Sequence, residues 1–495
     1  MDIDRRQLVI AAGTGAAAAW LAVGRAAEAA AAPTAPPAPT SQTAGLEEQL
    51  ASYAAGVRYQ ALPTPVVEAC KRALLDALAC ACGALSTPPA RIAAATFQQA
   101  FGSNGVATVI GAARRIATEG AVLINGTLIR QLDLNDVYFG KDPSHPSEIT
   151  AVALACCEEA GRSGRDLIES LVVGYETEVR LNDAISWAAH GLIASSAAAF
   201  IAPLVVGKAW RMPAEQVVHA MGISGPRQLT LLAVNSGEIS MMKSVGPGYT
   251  AMDAVFSTRL AVAGMTGVTR GLEWMLSNIP PKQERVSVDL DPGHYQLTRV
   301  GMKRFPLQGE LQAVAEAGTN LHAKVAGRIA AIQEISVQAY PGTLARGVAE
   351  PEKFHPVSRE TADHSLPICL AIALLEGDVT VKQYDQGRWK APDVLALAQK
   401  VKVSSSPQLV AQRPDGHGTI VTLRLEGGQT LSEAVLVAQG DATRPMSRAA
   451  MEHKFRQFAD PVLGESAARQ VVRFVDDLEQ LEDVRSLTAL LEARS

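Results

Sequence analysis

The chain has 495 residues, 48% of them apolar and 19% charged, with a net charge of -5 and aromatic residues at only 5%. That length supports more than one hydrophobic core, and that composition excludes a disordered chain. The mild acidic balance, without a long basic stripe, gives no footprint for nucleic acid.

The chain opens on an export pattern. Arg5-Arg6 followed by Gln7, Leu8, Val9 and Ile10 reads as a twin-arginine motif, and an alanine-rich apolar run continues to about Val23. Ala27-Glu28-Ala29 offers a small-residue cleavage site. The apolar run is too short and too broken by glycine for a membrane span. Residues 1–32 are therefore read as a signal peptide. Residues 33–44, with four prolines among Ala, Thr, Ser and Gln, are read as a linker. The twin-arginine route carries folded proteins, so a periplasmic protein is expected, with no membrane association after cleavage.

From 45 to 285 the pattern is helical. Val66, Val67, Cys70, Ala73, Leu74, Ala77 and Leu78 recur at three and four residues, and similar stripes follow to about residue 275. An all-helical domain of alanine-rich helices is the expectation. The character changes near Val286. Residues 332–337, 401–404, 420–425 and 431–437 are β-branched or alternating, with Gly427-Gly428 as a turn. Helical pattern between them, at 362–375 and 391–400, makes 286–440 a smaller α+β domain. Residues 441–495 are helical again. The fold class is mainly α. Cys70, Cys80, Cys82, Cys156, Cys157 and Cys369 lack the spacing of a zinc or iron–sulfur site and read as small buried hydrophobes.

Chemistry concentrates between Leu132 and Ser147. Asp133, Asp136 and His145 lie within thirteen residues. A carboxylate near a histidine can orient the imidazole and raise its basicity, as proton transfer requires. The structural alternative is a helix-capping aspartate and a loop histidine. His190 precedes a small-residue helix, where the helix dipole lowers a histidine pKa and favours anions. Its alternative is a helix-end histidine with no role. Lys303-Arg304-Phe305-Pro306, at the domain junction, sets two cations beside a rigid proline and suits an anion site. A pair of solvated charges is the alternative there.

Asn125-Gly126, Leu132-Asp133-Leu134-Asn135-Asp136, His145-Pro146-Ser147, Glu159-Ala160-Gly161-Arg162-Ser163-Gly164 and Gly174-Tyr175-Glu176 occur in this order. Together they resemble the MmgE/PrpD family, over roughly residues 45 to 460. The resemblance implies a large discontinuous helical domain, rejoined by residues 441–495, and a smaller α+β lid with the site in the cleft between. It implies a homodimer and a cofactor-independent enzyme with no metal. It adds Lys243, in Met241-Met242-Lys243-Ser244, as a carboxylate-binding lysine. It places a substrate-facing histidine at His190.

The implied activity is that of a hydro-lyase of the 2-methylcitrate dehydratase type, acting on a small di- or tricarboxylic hydroxy acid. Lys243, Lys303 and Arg304 are expected to clamp substrate carboxylates. His145 or His190 removes a proton α to a carboxylate, the other protonates the departing hydroxyl, and Asp133 orients or charge-balances His145. An epimerase, a decarboxylase and a non-catalytic periplasmic carboxylate-binding protein are the alternatives. The chain departs from the family's pattern at Arg130, Val137, Ala189 and Gln308. Arg130 suggests a more anionic or differently shaped substrate, and Glu310 is a substitute for a histidine missing after Lys303. His364 reads as packed rather than catalytic.

Overall fold

The structure, a computed structural model, describes residues 44–282, 286–325, 327–412 and 416–493. The expected signal peptide and all of the expected linker but Ala44 lie outside the described residues. The first stretch is a succession of helices: α1 (Leu46–Gly56), α2 (Thr64–Gly83), α3 (Pro88–Phe101), α4 (Thr118–Gln131), α5 (Thr150–Glu159), α6 (Gly164–Ala184), α7 (Ala198–Trp210), α8 (Ala214–Ser224), α9 (Met242–Val262) and α10 (Gly271–Asn278). Two antiparallel ladders of two residues each interrupt it, β1 (Ala107–Thr108) with β2 (Arg115–Ile116), and β3 (Tyr138–Phe139) with β4 (Pro143–Ser144).

Local sequence explains these helices. Proline at the first turns of α2 and α3 gives up a backbone donor that has no partner there anyway. Ser163 caps α6 through a reciprocal box with Asp166. Small residues then let backbones meet. A Cβ on Gly126 of α4 would come 2.9 Å from the Gly248 Cα of α9. That approach brings the C-terminal end of α4 beside the N-terminal end of α9.

The second layer contains α11 (Gln312–Val325), β5 (Ile332–Ala339), α12 (Pro341–Gly347), α13 (Arg359–Ala362), α14 (Leu366–Glu376), α15 (Val381–Asp385), α16 (Pro392–Ala398), β6 (Val401–Ser405), α17 (Pro407–Gln412), β7 (Thr419–Leu425) and β8 (Thr430–Val435). The strands form one sheet in the order β6-β5-β7-β8, parallel between β5 and β6 and antiparallel elsewhere. Val337 pairs with Val403 on one side and Val421 on the other. Ile335 and Val337 of β5, with Val421 and Leu423 of β7, are buried in this core, and α11 packs on the sheet with α14 against it. Gly427 and Gly428 take φ of 82° and 83° in the turn between β7 and β8, a region glycine enters without a Cβ penalty.

There are two main hydrophobic cores. The second begins at Phe305 and runs to Val435. The first holds the early helices and also Met451, Phe455, Val471 and Val475 from α18 (Arg448–Leu463) and α19 (Glu465–Asp476). Residues 286–304, expected in the smaller domain, instead lie on the first core, where Leu297, Val300 and Met302 are buried. Val286, Val288 and Leu290 alternate like a strand because one side of an extended segment rests on that core. All six cysteines are buried and unpaired. Among the described residues no single helix is long and apolar enough to cross a membrane.

Candidate active site

Asp133 sits just past α4, where the chain must turn, and adopts φ 50°. A non-glycine residue in this left-handed region is strained, and such strain persists only where the surroundings over-determine it. Here they do. Arg130 Nη1 lies 2.6 Å from one carboxylate oxygen and Lys303 Nζ 2.7 Å from the same atom. Lys243 Nζ, brought in by α9, is 3.2 Å from the other oxygen, and His364 Nε2 is 3.3 Å from it. Lys303 also donates to the Asp133 carbonyl at 2.9 Å. Burial alone would push the Asp133 carboxyl up, but Lys243, Lys303 and Arg130 hold it well below the usual range. Burial pushes Lys303 down against the pull of Asp133.

The loop after Asp133 folds back over a buried acid. Asp136 accepts from the Ser147 hydroxyl at 2.6 Å and its backbone N–H at 3.1 Å. Burial lifts its pKa to about 6. This clamp presents His145, whose Nδ1 lies 2.6 Å from the Asp136 carbonyl. A carbonyl only accepts, so Nδ1 carries the hydrogen and Nε2 keeps a free lone pair. Burial, then Arg130 and Lys303, push the His145 pKa well down, so the ring is neutral. Glu148, one turn on, lies 3.1 Å from Arg130 Nε. Burial outweighs that arginine and raises Glu148 to about 7.

Of these groups, Arg130, Asp133, His145 and His364 border a chamber of about 250 Å³. Arg130, Asp133, His145 and Ser195 line one side, and Gln308, Glu310, Arg346 and His364 line the other. The chamber thus lies between residues of the two cores. Arg130, Asp133 and His145 come together as expected. Lys243 and Lys303 stand behind Asp133, so they act on the chamber through it more than by direct exposure.

Two expected site residues are elsewhere. Arg304 is exposed, stacks on Phe305 at 4.6 Å and bonds Gln439. Along an extended segment successive side chains point to opposite sides, so a buried Lys303 turns Arg304 outward. His190 is buried with Nδ1 3.2 Å from the Ile279 carbonyl and is not among the chamber-lining residues. Nor does Asp133 orient His145, since the Asp136 carbonyl does that.

Two family models match the chain, the MmgE/PrpD N-terminal domain over residues 48–274 and the MmgE/PrpD C-terminal domain over residues 305–480. The chain belongs to the MmgE/PrpD family. Its relatives include a cis-aconitate decarboxylase of Aspergillus terreus, 24% identical over 481 residues, covering 90% of this chain and 96% of the relative. A cis-aconitate decarboxylase of Homo sapiens is 25% identical over 470 residues, covering 91% and 95%. A 2-methylcitrate dehydratase of Salmonella typhimurium is 22% identical over 392 residues, covering 73% and 79%. The relatives are enzymes, and the lyase class covers both activities.

Within this MmgE/PrpD chain, sequence reasoning set aside His364 and missed Arg346. His364 Nδ1 lies 2.5 Å from Asp363. Burial and Lys243 push its pKa down. The Asp363-His364 pair just before α14 was the available signal. Arg346 had none, because it reaches the chamber only through the folding of α12. Asp133, Asp363 and His364 are close enough together to hold a metal ion. A cation there would compete with Arg130, Lys243 and Lys303, which already neutralise Asp133.

Proposed function

We propose that this protein is a cofactor-independent lyase that removes water from a small hydroxy di- or tricarboxylic acid. The observation that carries this reading is a pair of titratable groups on either side of Arg130 whose surroundings push them in opposite directions. His145 is held neutral with a free Nε2, and Glu148, raised to about 7, keeps its proton on about half of the molecules at pH 7. Such a divergence supports one base and one acid working at the same pH.

In this reading a substrate carboxylate sits against Arg130, which lines the chamber beside Asp133. His145 Nε2 takes the proton α to that carboxylate. The negative charge that develops on the carboxylate oxygens is met by the cations gathered around Asp133. The carbon–oxygen bond to the hydroxyl then breaks, and the hydroxyl leaves as water. Its proton comes from Glu148 through the Ser195 hydroxyl, which lines the chamber and lies against the Glu148 carboxyl. Asp133 is a positioning residue that fixes three cations. Lys303 contributes through Asp133, and Arg304 and His190 have no part in these steps.

A second reading is decarboxylation. The wider coverage of the cis-aconitate decarboxylases favours it, and the chemistry needs only a proton returned to carbon, which His145 could deliver once charged. Export to the periplasm and a homodimer remain part of the proposal.

Incubation with hydroxy-, unsaturated and amino-di- and tricarboxylates in deuterated water, followed by proton NMR, tests both. New vinylic signals from a hydroxy acid are the expected result. Loss of carbon dioxide from an unsaturated acid selects the second reading. Deuterium uptake without elimination makes the protein an epimerase. Silence across the panel, with a carboxylate still raising the melting temperature, makes it a binding protein and ends the lyase reading.

A further inference from the structure

The two ends of the chamber pair their charges differently. Around Asp133, three cations (Arg130, Lys243 and Lys303) face the two carboxylates Asp133 and Asp363. Glu148 also lies 3.1 Å from Arg130, so the cations at this end are closely matched by acids. At the other end Arg346 and Lys353 face three carboxylates, Glu310, Asp142 and Glu350. One negative charge is in excess there.

Two acceptors at that negative end are incompletely used. The Glu310 side chain is 4% exposed, and among the described residues it pairs with Arg346 at 3.4 Å. Arg346 is itself shared with Asp142 at 3.9 Å and is 42% exposed. A carboxylate so enclosed is poorly repaid by so loose a counter-ion. Two residues earlier on the same turn, the Gln308 side-chain oxygen is buried, belongs to a chamber-lining residue and has no hydrogen-bond partner. Its backbone is anchored, with N–H donating to the Asp363 carbonyl at 3.0 Å, so the amide is held at this wall. A buried acceptor left unpaired is a penalty that a ligand donor would relieve. Asp142 does not line the chamber, and it accepts from the Ala188 N–H at 3.0 Å.

We propose that Glu310 and Gln308 form a subsite for a substrate amine. The ammonium donates to the Glu310 carboxylate and the Gln308 oxygen, while a carboxylate of the same molecule faces Arg130. This rests on the chamber being the substrate site, as in the lyase reading, and narrows the substrate to a hydroxy carboxylic acid that also carries an amine. A carboxylic acid without an amine leaves the buried Gln308 oxygen unpaired and adds charge beside Glu310. An amine supplies the missing donor.

The test is calorimetric titration of the full chain at pH 7 with aspartate, malate and succinate, which share a carbon skeleton and differ in one substituent. Aspartate is expected to bind about tenfold more tightly than the other two, the worth of one hydrogen bond between charged groups. Glu310→Gln should bring the three within about threefold of one another, and Gln308→Leu should remove part of the preference. Equal affinities in the wild type overturn the proposal, as does an aspartate preference that survives both substitutions. If Glu310→Gln does not fold, Gln308→Leu decides alone. Turnover of hydroxy acids without an amine preference sinks the subsite and leaves the lyase standing. An amine preference without turnover of any acid does the reverse.

Discussion

The chamber has two walls of different make. On the helical side Arg130, Asp133 and Lys303 are buried and meet at 2.6 and 2.7 Å. On the lid side Arg346 is exposed and reaches its partners at 3.4 and 3.9 Å. Short, dry ion pairs leave a group little freedom, while long, wet ones leave it free to re-pair. The difference teaches where each task belongs. In the proposed lyase, proton transfer needs atoms held in place before substrate arrives, and the helical wall would provide that. Recognition of the substrate's far end tolerates adjustment, and the lid wall allows it.

The contrast breaks first at Asp133. Asp133→Ala leaves Arg130, Lys243 and Lys303 buried without their common counter-ion. A stability loss of about 3–5 kcal/mol is expected, read as a fall in the denaturation midpoint, together with loss of turnover. A variant as stable as the wild type would mean that the helical wall is no more rigid than the lid.

His145→Ala should be mild for stability and severe for rate. A drop in kcat of about 10²–10⁴-fold is expected from removing a general base, with the melting temperature nearly unchanged. Retained kcat would remove the helical wall from the chemistry.

The two buried carboxyls beside Arg130 respond to pH with opposite sign. Asp133 is depressed in the fold, so its contribution is present above the unfolded value of 3.8 and is lost as pH falls through its native pKa. Glu148 is raised from 4.5 to about 7, so its contribution is complete below 4.5 and is lost as pH rises through about 7. Denaturation curves between pH 4.5 and 8 should therefore show the wild type losing on the order of 3 kcal/mol relative to Glu148→Gln. Parallel curves would mean that Glu148 is ionised throughout and is not the acid.

The smallest effect belongs to Arg304. It faces solvent outside the chamber, so Arg304→Ala should change stability by less than about 0.5 kcal/mol and leave KM unaltered. A large rise in KM would show that the lid closes farther than the present chamber and carries Arg304 into it.

The helices before residue 280 and the strands after 330 were legible because their periods are set by backbone geometry and by one-sided burial, both local properties. The segment 286–304 misled for the same reason. Val286, Val288 and Leu290 have the period of a strand, but burial of one side comes from the helical core and needs no strand partner. The motif from Leu132 to Ser147 was legible as chemistry because Asp133, Asp136 and His145 are close in sequence. Their division of labour was not, since the Asp136 carbonyl, rather than a carboxylate, holds His145.

The sequence by itself determined the fold class, the family and the neighbourhood of the site. Hydrophobic spacing and short motifs act over a few residues and survive without knowledge of the rest of the chain. Only the tertiary structure decided which charges meet. Arg130, Lys243, Lys303 and His364 are spread over 235 positions of the chain, yet all four lie within 3.3 Å of one carboxylate. Lys303 and Arg304 are neighbours in sequence and opposite in fate, one buried and one exposed. Electrostatic pairing depends on distance in space and on exclusion of water, and both are fixed only when the two cores close around the chamber.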